Sequence, residues 1–325
     1  MDQNRKKMAK IRTKKHTLSI IVPTFNSASI LPILYQRIKK AFLNTGLQWN
    51  VLFVDDSGEN HATYKAICSL ARVHSNVKGL RLSRNFGHAA AIGVGLRYAF
   101  GSFVAIMDDD MQDPPELLPQ MAFNLLDGFD VVYGIRAKRP ETGLRAFAYK
   151  KYYRVLSFFS GTKIPRDSGD FCVMRHHVVA ALLSCETSQP FWRGLRAWAG
   201  FRQMGIPYAR KKRLQGRSGY GIRKLLDLGL TGILTFSSIP LRVATFLGIG
   251  VGFLGVVFGA YAAVLKLSGA GFPPGFTATV VLLTLLGSAQ LLGLGILGEY
   301  VWMLHQNVRR WPNAIVAETT FQKVR

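Results

Sequence analysis

Two acidic runs in the N-terminal half of the chain carry the side chains best suited to chemistry. They are residues 55–56, both Asp, and residues 108–113, which read DDDMQD. In an extended chain alternate residues point the same way, so Asp108, Asp110 and Gln112 would converge. Three oxygen donors on one side suit a hard divalent cation such as Mg²⁺, with substrate phosphates as further ligands. An acidic, solvated turn that caps the following helix is the open alternative.

Arginines that follow the acidic runs supply the opposite charge. A guanidinium can bind a phosphate group through two parallel hydrogen bonds, so arginine is well suited to gripping phosphate. The candidates are Arg136, Arg139, Arg145, Arg193, Arg210 and Arg213. For any one of them, a solvated or lipid-facing position is the alternative.

The pattern around these residues predicts an α/β fold. Apolar runs at 18–22, 51–54, 79–82 and 103–107 alternate with helical patterns at 28–42, 63–73, 88–99 and 116–126. This alternation predicts a mainly parallel sheet with helices on both faces. Ligands of such sheets bind at the carboxyl ends of the strands, where both acidic runs fall. A dinucleotide-binding fold would show GxGxxG after the first strand, and Gly93-Val-Gly95 lacks the third glycine.

Composition narrows the class of protein and of partner. The 325 residues carry 42 Lys or Arg against 18 Asp or Glu, a net charge of +24, and 49% of them are apolar. This composition excludes disorder and collagen, and the charge predicts an anionic partner, whether lipid headgroups, nucleic acid or a phosphorylated substrate. The three cysteines lack the spacing of zinc ligands or of a disulfide framework, which favours a reducing compartment.

Charge and hydropathy divide the chain into five segments. These are a basic tail (1–16), an α/β domain (17–215), an amphipathic juxtamembrane segment (216–241), two transmembrane helices (within 242–304) and a cytosolic tail (305–325). The two helices are expected at 243–266 and 277–302, because about 20 apolar residues span a bilayer. Twenty Lys or Arg stand against four acidic residues in 136–224, and contact with anionic lipid explains this block without nucleic acid.

The distribution of basic residues predicts the orientation in the membrane. No Lys or Arg lies between Lys266 and Arg309, whereas both outer flanks are basic. The positive-inside rule therefore places the loop between the helices outside and both termini in the cytosol. No cleaved export signal is expected, because the apolar run 18–22 is shorter than a signal-peptide core.

Eight stretches of sequence resemble a known enzyme family. VPTFN (22–26), VDDS (54–57), LSRNFGHAAAIGVGL (82–96) and MDDDMQDPPE (107–116) are similar to family-2 glycosyltransferases with the GT-A fold. DSGDFCVM (167–174), FWRGLRAWAGF (191–201), IPYARKKRLQGRSGY (206–220) and SSIPLRVATFLG (237–248) resemble the polyprenyl-phosphate glycosyltransferases, which include bacterial bactoprenol glucosyltransferases and dolichyl-phosphate mannose synthases. The resemblance covers residues 17–305, and the combination is far more specific than any one stretch.

The resemblance implies an activity and a location. It implies inverting transfer of a sugar from a nucleotide-sugar to a polyprenyl phosphate such as undecaprenyl phosphate, assisted by Mg²⁺ or Mn²⁺. The protein would belong to the bacterial inner membrane, with residues 17–215 as a cytosolic GT-A catalytic domain. UDP-glucose is the favoured donor, and UDP-GlcNAc, UDP-galactose and GDP-mannose are the alternatives.

The resemblance also assigns roles to individual residues. The nucleotide-sugar would contact Pro23, Thr24, Phe25, Asn26, Asp55, Asp56, Arg84, Asn85, His88, Asp108 and Asp109. The cation would bind Asp108, Asp110 and Gln112, the acceptor phosphate would bind Arg136, Arg139, Arg145, Arg213 and Arg217, and the catalytic set would be Asp110, Arg136 and Asp170. Helix capping is the alternative role for Asp170, and a structural role is the alternative for His88.

Two positions depart from the family pattern. Ser27 stands where VPxxNE has a carboxylate, which leaves the choice of donor more open. Gly219 stands where the family has a lysine before Tyr220, so Arg217 is a candidate to replace that phosphate contact.

Two other functions are alternatives to this interpretation, and one of them is not enzymatic. A processive polysaccharide synthase would carry more membrane helices and a QxxRW element, whereas residues 189–193 read QPFWR. A non-catalytic protein that binds membranes or other anions would need only the basic block. A homo-oligomer is compatible with each interpretation.

Overall fold

The computed structural model describes residues 16–136, 168–185, 190–209, 275–309 and 311–321, with isolated positions between 248 and 268. The chain divides into two compact units. The first comprises Met1–Ser157, Thr162–Gly219 and Trp311–Arg325, and the second comprises Phe158–Gly161 and Tyr220–Arg310. Residues 1–15 of the basic tail (1–16) and the juxtamembrane segment 216–241 lie outside the described residues.

An eight-stranded sheet forms the first unit. Its strands are β1 (Thr17–Thr24), β2 (Gln48–Asp55), β3 (Val77–Leu82), β4 (Phe103–Ile106), β5 (Val131–Arg136), β6 (Ser168–Arg175), β7 (Gln203–Tyr208) and β8 (Val316–Thr319). Their order across the sheet is β7-β5-β6-β4-β1-β2-β3-β8. Strands β1 to β4 pair in parallel, as do β5 and β7, whereas β6 and β8 run antiparallel to their neighbours. The predicted α/β fold with a mainly parallel sheet is therefore confirmed.

Helices cover both faces of this sheet. They are α1 (Leu31–Phe42), α2 (Ala62–Val73), α3 (His88–Tyr98), α4 (Leu118–Leu126), α5 (His176–Ser184) and α6 (Trp192–Trp198). Alternate strand residues point to opposite faces, so Phe53 packs in a cluster with α1, α2 and α4, while its neighbour Val54 packs in a cluster with α3, α5 and α6. The near-continuous apolar runs of the central strands follow from this burial on both faces.

The two glycines of α3 are packing residues. A Cβ on Gly95 would lie closer than 3.0 Å to Ile21, which is fully buried in β1, and a Cβ on Gly93 would lie 3.0 Å from the Trp192 ring. The absence of side chains lets α3 approach both the sheet and α6. This contact explains the Gly-Val-Gly sequence without a phosphate-binding loop.

We expect the substitution Gly95→Ala to destabilise the first unit without touching the carboxyl edge of the sheet. Overpacking a buried contact costs about 1–3 kcal/mol, so the melting temperature of the purified protein should fall by several degrees. Gly293→Ala is the matched control, because a Cβ there would meet nothing within 4 Å. Equal melting temperatures for the two variants would contradict this packing account.

The second unit contains a long helix, α7 (Phe276–Val308). Among the described residues it is the one helix with the length and composition to cross a bilayer, over the 18 residues Leu285–Trp302, none of which is buried. This window lies in the predicted span 277–302. The predicted span 243–266 is described only at isolated positions, so two transmembrane helices are not confirmed.

The C-terminal segment belongs to the sheet. Within residues 305–325, the predicted cytosolic tail, α7 continues to Val308 and Val316–Thr319 forms β8, antiparallel to β3. The segment thus returns to the first unit as an edge strand. Its sequence, VAET, is too short and too polar to predict a strand by periodicity.

Candidate active site

The carboxyl ends of the four central parallel strands gather the predicted polar residues at one edge of the sheet. β1, β2, β3 and β4 end at Thr24, Asp55, Leu82 and Ile106, and the loops that follow contain the VPTFN, VDDS, SRN and DDDMQD sequences. Hydrogen bonds connect these loops to one another, so the edge forms a single site.

The loop after β1 anchors one carboxylate of the DDD run. The Phe25 amide donates to Asp109 Oδ2 at 3.4 Å, and the Ser27 hydroxyl donates to the same oxygen. A family-type glutamate in place of Ser27 would bring a second negative charge to Asp109, so the serine suits this loop. The Phe25 ring is 54% exposed, which leaves an aromatic face available at the site.

The paired aspartates after β2 have different partners. Asp56 accepts hydrogen bonds from the amides of Phe86 and Gly87 at 2.7 and 2.8 Å, so it fastens the loop after β3. Asp55 Oδ1 accepts from the Ser57 amide at 3.1 Å, whereas its buried Oδ2 has no hydrogen-bond partner. Burial raises the pKa of both carboxyls. The two oxygens of Asp55 therefore differ, since only Oδ1 is hydrogen-bonded.

The DDDMQD loop is a turn. β4 ends at Ile106, and Met111 has a left-handed backbone with φ of 61°, so alternation along an extended chain does not apply here. Asp110 is 8% exposed, and its Oδ1 accepts the Gln112 amide at 3.1 Å. Such a bond from a carboxylate to the amide two residues on is typical of turns.

Asp108 faces a histidine. Its buried Oδ1 accepts no hydrogen bond and lies 3.4 Å from His88 Nε2, which is also 3.8 Å from Asp170 Oδ2. Burial opposes the charge on His88, but Asp170, Asp108 and Asp109 outweigh it and raise the pKa of His88 to about 9. Burial raises the pKa of Asp108. The neighbouring carboxylates thus favour the protonated form of His88, which lies between Asp108 and Asp170.

Arg193 and Arg196 lie near Asp170 on β6, and Arg136 lies near its neighbour Gly169. Arg193 Nε lies 3.9 Å from Asp170 Oδ1, and Arg196 donates from Nη2 to the Gly169 carbonyl at 3.4 Å. Burial opposes ionisation, yet His88, Arg193 and Arg196 together lower the pKa of Asp170 to about 2. The Nε atoms of Arg136, Arg193 and Arg196 are all buried without a hydrogen-bond partner. The arrangement holds positive charge beside a single fixed carboxylate.

Arg196 is a residue that the sequence reasoning missed. It is only 3% exposed, and its guanidinium carbon lies 4.9 Å from the centre of the Tyr133 ring. Arg193 and Arg196 lie three residues apart on α6 and therefore share one helix face. Because Arg193 was already a candidate, this spacing was the feature of the sequence that could have indicated Arg196.

A second missed group supports Arg136. The Tyr208 hydroxyl at the end of β7 donates to Asp113 Oδ1 and hydrogen-bonds to Arg136. Burial and the neighbouring Asp108 raise the pKa of Asp113 to about 6, against the effect of the Tyr208 hydrogen bond. Asp113 and Tyr208 lie 95 residues apart in the sequence, so spacing carried no signal for this contact.

The remaining predicted residues are less central. Pro23 and Thr24 are buried in β1, where the Thr24 hydroxyl donates to the Val54 carbonyl at 3.2 Å. Asn26, Arg84 and Asn85 are exposed on the loops, and the Arg84 guanidinium carbon lies 4.8 Å from the Phe86 ring. The predicted phosphate ligands Arg139, Arg145, Arg210, Arg213 and Arg217, and also Gly219, lie outside the described residues.

We expect Gly169→Ala to displace Arg136 without unfolding the protein. A Cβ at Gly169 would lie 2.8 Å from Arg136 Nη2, the far end of a flexible side chain that can move aside. Misplacing a positioned charged group should lower the turnover number of the expected sugar transfer about tenfold or more, while the melting temperature changes little. The measurement is steady-state kinetics together with thermal unfolding. Unchanged turnover would show that the position of Arg136 is unimportant.

Comparisons with known proteins identify the family. The model of glycosyl transferase family 2 matches residues 19–183. The uncharacterized glycosyltransferase YkcC of Bacillus subtilis is 35% identical over 305 residues, 93% of each chain. The SfII prophage-derived bactoprenol glucosyl transferase of Shigella flexneri is 31% identical over 303 residues, 93% of this chain and 98% of that one. The chain therefore belongs to glycosyl transferase family 2, which confirms the resemblance noted in its sequence.

A solved structure supports the fold. Glucosyl-3-phosphoglycerate synthase from Mycobacterium tuberculosis, crystallised with Mn²⁺, UDP and glucosyl-3-phosphoglycerate, matches with a TM-score of 0.52. The match covers 71% of this chain and 82% of the synthase, at 12% sequence identity. The first unit thus has a GT-A-like fold, and the protein is a glycosyltransferase.

Proposed function

We propose that the protein is a membrane-anchored, metal-dependent glycosyltransferase that moves a hexose from a nucleotide-sugar to a polyprenyl phosphate with inversion at the anomeric carbon. UDP-glucose is the favoured donor. Its catalytic unit and both termini would lie on the cytosolic side of a bacterial inner membrane. Relatives named as bactoprenol glucosyl transferases support the acceptor class and the sugar.

One observation carries the proposal: opposite charges meet across a short line of contacts. Asp108 lies 3.4 Å from His88, His88 lies 3.8 Å from Asp170, and Asp170 lies 3.9 Å from Arg193. A reaction between two phosphorylated substrates needs both negatively and positively charged side chains. The carboxylates suit a cation and the sugar hydroxyls, whereas the arginines suit phosphate oxygens.

The residues on the acidic side fit a divalent cation. Burial raises the pKa of Asp108 and Asp109, and the buried Oδ1 of Asp108 lacks a hydrogen bond, so added positive charge would stabilise this group. Among the described residues no group of three His, Cys, Asp or Glu side chains is arranged to hold a metal. As the resemblance implies, Asp108, Asp110 and Gln112 would share Mg²⁺ or Mn²⁺ with the donor diphosphate, since Mg²⁺ is commonly held by one or two carboxylates together with substrate phosphates. When bound, the cation supplies Lewis-acid stabilisation to the leaving group.

The protein side chains bind and orient the two substrates. The Phe25 ring would face the base, and Asp55 Oδ2 would accept a hydrogen bond from the base or the ribose. Asp170, held by His88 and Arg193, would orient the sugar hydroxyls. Arg136, supported by Tyr208, would grip the acceptor phosphate.

The acceptor requires no general base. The second pKa of a phosphate monoester is about 6, so at neutral pH the acceptor is already a nucleophile. One of its oxygens forms a bond to the anomeric carbon, and the bond from that carbon to the diphosphate oxygen breaks. The electron pair leaves with the nucleoside diphosphate. The arginines would lower the barrier by neutralising charge while the substrates approach.

The membrane location has two supports. The window Leu285–Trp302 of α7 has the length and composition of a span. The block 136–224, with twenty basic residues, would gain about 1 kcal/mol for each Lys or Arg near an anionic leaflet.

A panel of donors tests the proposal. Purified protein in lipid nanodiscs would be incubated with undecaprenyl phosphate and, in turn, UDP-glucose, UDP-GlcNAc, UDP-galactose and GDP-mannose, and the lipids analysed by mass spectrometry. We expect a glycosyl lipid with UDP-glucose as the best donor and loss of the product with a chelator. Absence of a lipid product with every donor would overturn the proposal, and polymer would favour a processive synthase.

A further inference from the structure

We infer that the ion pair between Arg81 on β3 and Glu318 on β8 sets the affinity for the donor nucleotide, so that the segment following α7 takes part in donor binding. Arg81 acts as a positioning residue, and Glu318 acts through it. The inference rests on the proposed function, because it concerns the nucleotide site formed by the loop after β2.

Hydrogen bonds join the C-terminal segment to β3 from Gly79 to Ser83, just beyond the end of the strand. The Ser83 amide donates to the Ile315 carbonyl at 2.9 Å, and the Thr320 amide donates to the Gly79 carbonyl at 3.0 Å. The Gly79 amide in turn donates to the Thr320 hydroxyl at 2.8 Å. β8 therefore restrains β3 up to the residue that precedes the Arg84-Asn85 loop.

Cation–π and ring contacts also hold the C-terminal segment in place. Lys78 Nζ lies 3.7 Å from the centre of the Phe100 ring and 5.0 Å from that of Phe321. Phe321 also meets Tyr98 of α3 edge to face, with 6.4 Å between the ring centres. Cation–π contacts of this kind contribute about 0.5–1 kcal/mol at exposed sites. The segment thus packs at the end of α3 as well as on β3.

Arg81 connects this segment to the nucleotide loop. It lies directly opposite Glu318 in the β3–β8 register, and its Nη1 forms the ion pair with Glu318 Oε1. Its Nη2 donates to the Gly58 carbonyl at 3.5 Å and lies 3.2 Å from His61 Nε2. Gly58 has φ of 64°, a left-handed conformation that favours glycine in this turn.

The loop 55–60 is therefore held from two sides. Asp56 binds the Phe86 and Gly87 amides on one side, and Gly58 binds Arg81 on the other.

The Arg81 side chain is 12% exposed and the Glu318 side chain is 49% exposed, so the arginine is the more fixed partner of the ion pair. Its positive charge also favours the ionised form of Asp55, which is the carboxylate with an oxygen left for the donor. Losing Glu318 would release one Arg81 contact and let the loop move.

The test compares Arg81→Met, Glu318→Gln and the double variant of the full-length protein in nanodiscs. We expect Arg81→Met to raise the donor KM about tenfold, because it removes both the loop contact and the charge near Asp55. We expect Glu318→Gln to raise it about threefold, within the range for an exposed ion pair. The double variant should match Arg81→Met, because Glu318 acts only through Arg81. The turnover number and the acceptor KM should stay within about twofold of the unsubstituted protein.

Asp130→Asn is the matched control. This substitution also removes one charge and an ion pair, with Arg175 at 3.8 Å, but Asp130 directly precedes β5, whose amino end lies at the edge of the sheet opposite the site. Its donor KM should not change. Glu318→Gln replaces an exposed group by one of the same shape, so this variant folds even if Arg81→Met does not.

Direct binding of UDP, measured by calorimetry, separates the two claims. If the unsubstituted protein binds neither UDP nor, in a parallel titration, GDP, the proposed function fails. If it binds UDP and both variants bind with the same affinity, the ion pair has no role in donor binding and the inference is overturned. Variants that lower the turnover number and the melting temperature together, with an unchanged donor KM, would also overturn it, since β8 would then serve stability alone.

Discussion

Replacing Asp110 by Asn is expected to lower the turnover number of sugar transfer at least about 100-fold, the range in which removing one electrostatic contact in an active site falls. Asp110 is 8% exposed and lies within the DDDMQD turn. The amide keeps the shape of the side chain and removes its charge. The change should therefore weaken cation binding without disturbing the fold, as measured by kinetics at saturating donor and acceptor.

Glu116→Gln provides the control for this substitution. Glu116 lies just beyond the turn, is 52% exposed and pairs with Arg37 at 2.9 Å. Losing this nearby negative charge should alter turnover by about twofold at most. If Asp110→Asn retained full transfer, the acidic turn would have no catalytic role, and a non-catalytic, anion-binding protein would become the better account.

Replacing Arg136 by Met is expected to lower kcat/KM for the polyprenyl phosphate about 100-fold or more. Its guanidinium lies beside Gly169 and hydrogen-bonds to Tyr208, and its Nε is buried without a partner. An arginine held in this way is prepared to bind a doubly charged phosphate. Initial rates against undecaprenyl phosphate concentration, at saturating donor, give the value.

Arg202→Met is the control for the loss of an arginine. Arg202 is exposed, and its guanidinium carbon lies 5.0 Å from the Phe129 ring near the amino end of β7. This variant should transfer sugar at the normal rate. If Arg136→Met raised only the donor KM and left the acceptor KM unchanged, Arg136 would bind the donor diphosphate instead of the acceptor.

The sequence predicted the parts of the fold that depend on local pattern. Strands buried on both faces alternate with amphipathic helices, and this rhythm determines a mainly parallel sheet. Because the carboxyl ends of parallel strands share an edge, the sequence alone predicts that Asp55 and Asp108 belong to one site. The edge strand β8 was not predictable, because pairing with β3 depends on residues more than 230 positions away.

The sequence could not predict which contacts each residue of the site makes. Asp55 and Asp56 are adjacent and chemically identical, yet Asp56 binds two amides about 30 residues away and Asp55 does not. The convergence of Asp108, Asp110 and Gln112 was predicted for an extended chain. Met111 instead has a left-handed backbone, so the chain turns there. Tyr208 and Arg196 reach the site through tertiary packing. Such contacts follow from the assembled sheet and have no local signature.

The mass of the lipid product tests the central claim most directly. Undecaprenyl phosphate carrying ¹⁸O in its phosphate would be incubated with UDP-glucose and the purified protein, and the product analysed by mass spectrometry. Attack of an acceptor oxygen on the anomeric carbon predicts a lipid with one phosphate, one hexose and every ¹⁸O atom retained. A lipid that carries two phosphates, or loss of label from the phosphate, would contradict the proposed transfer.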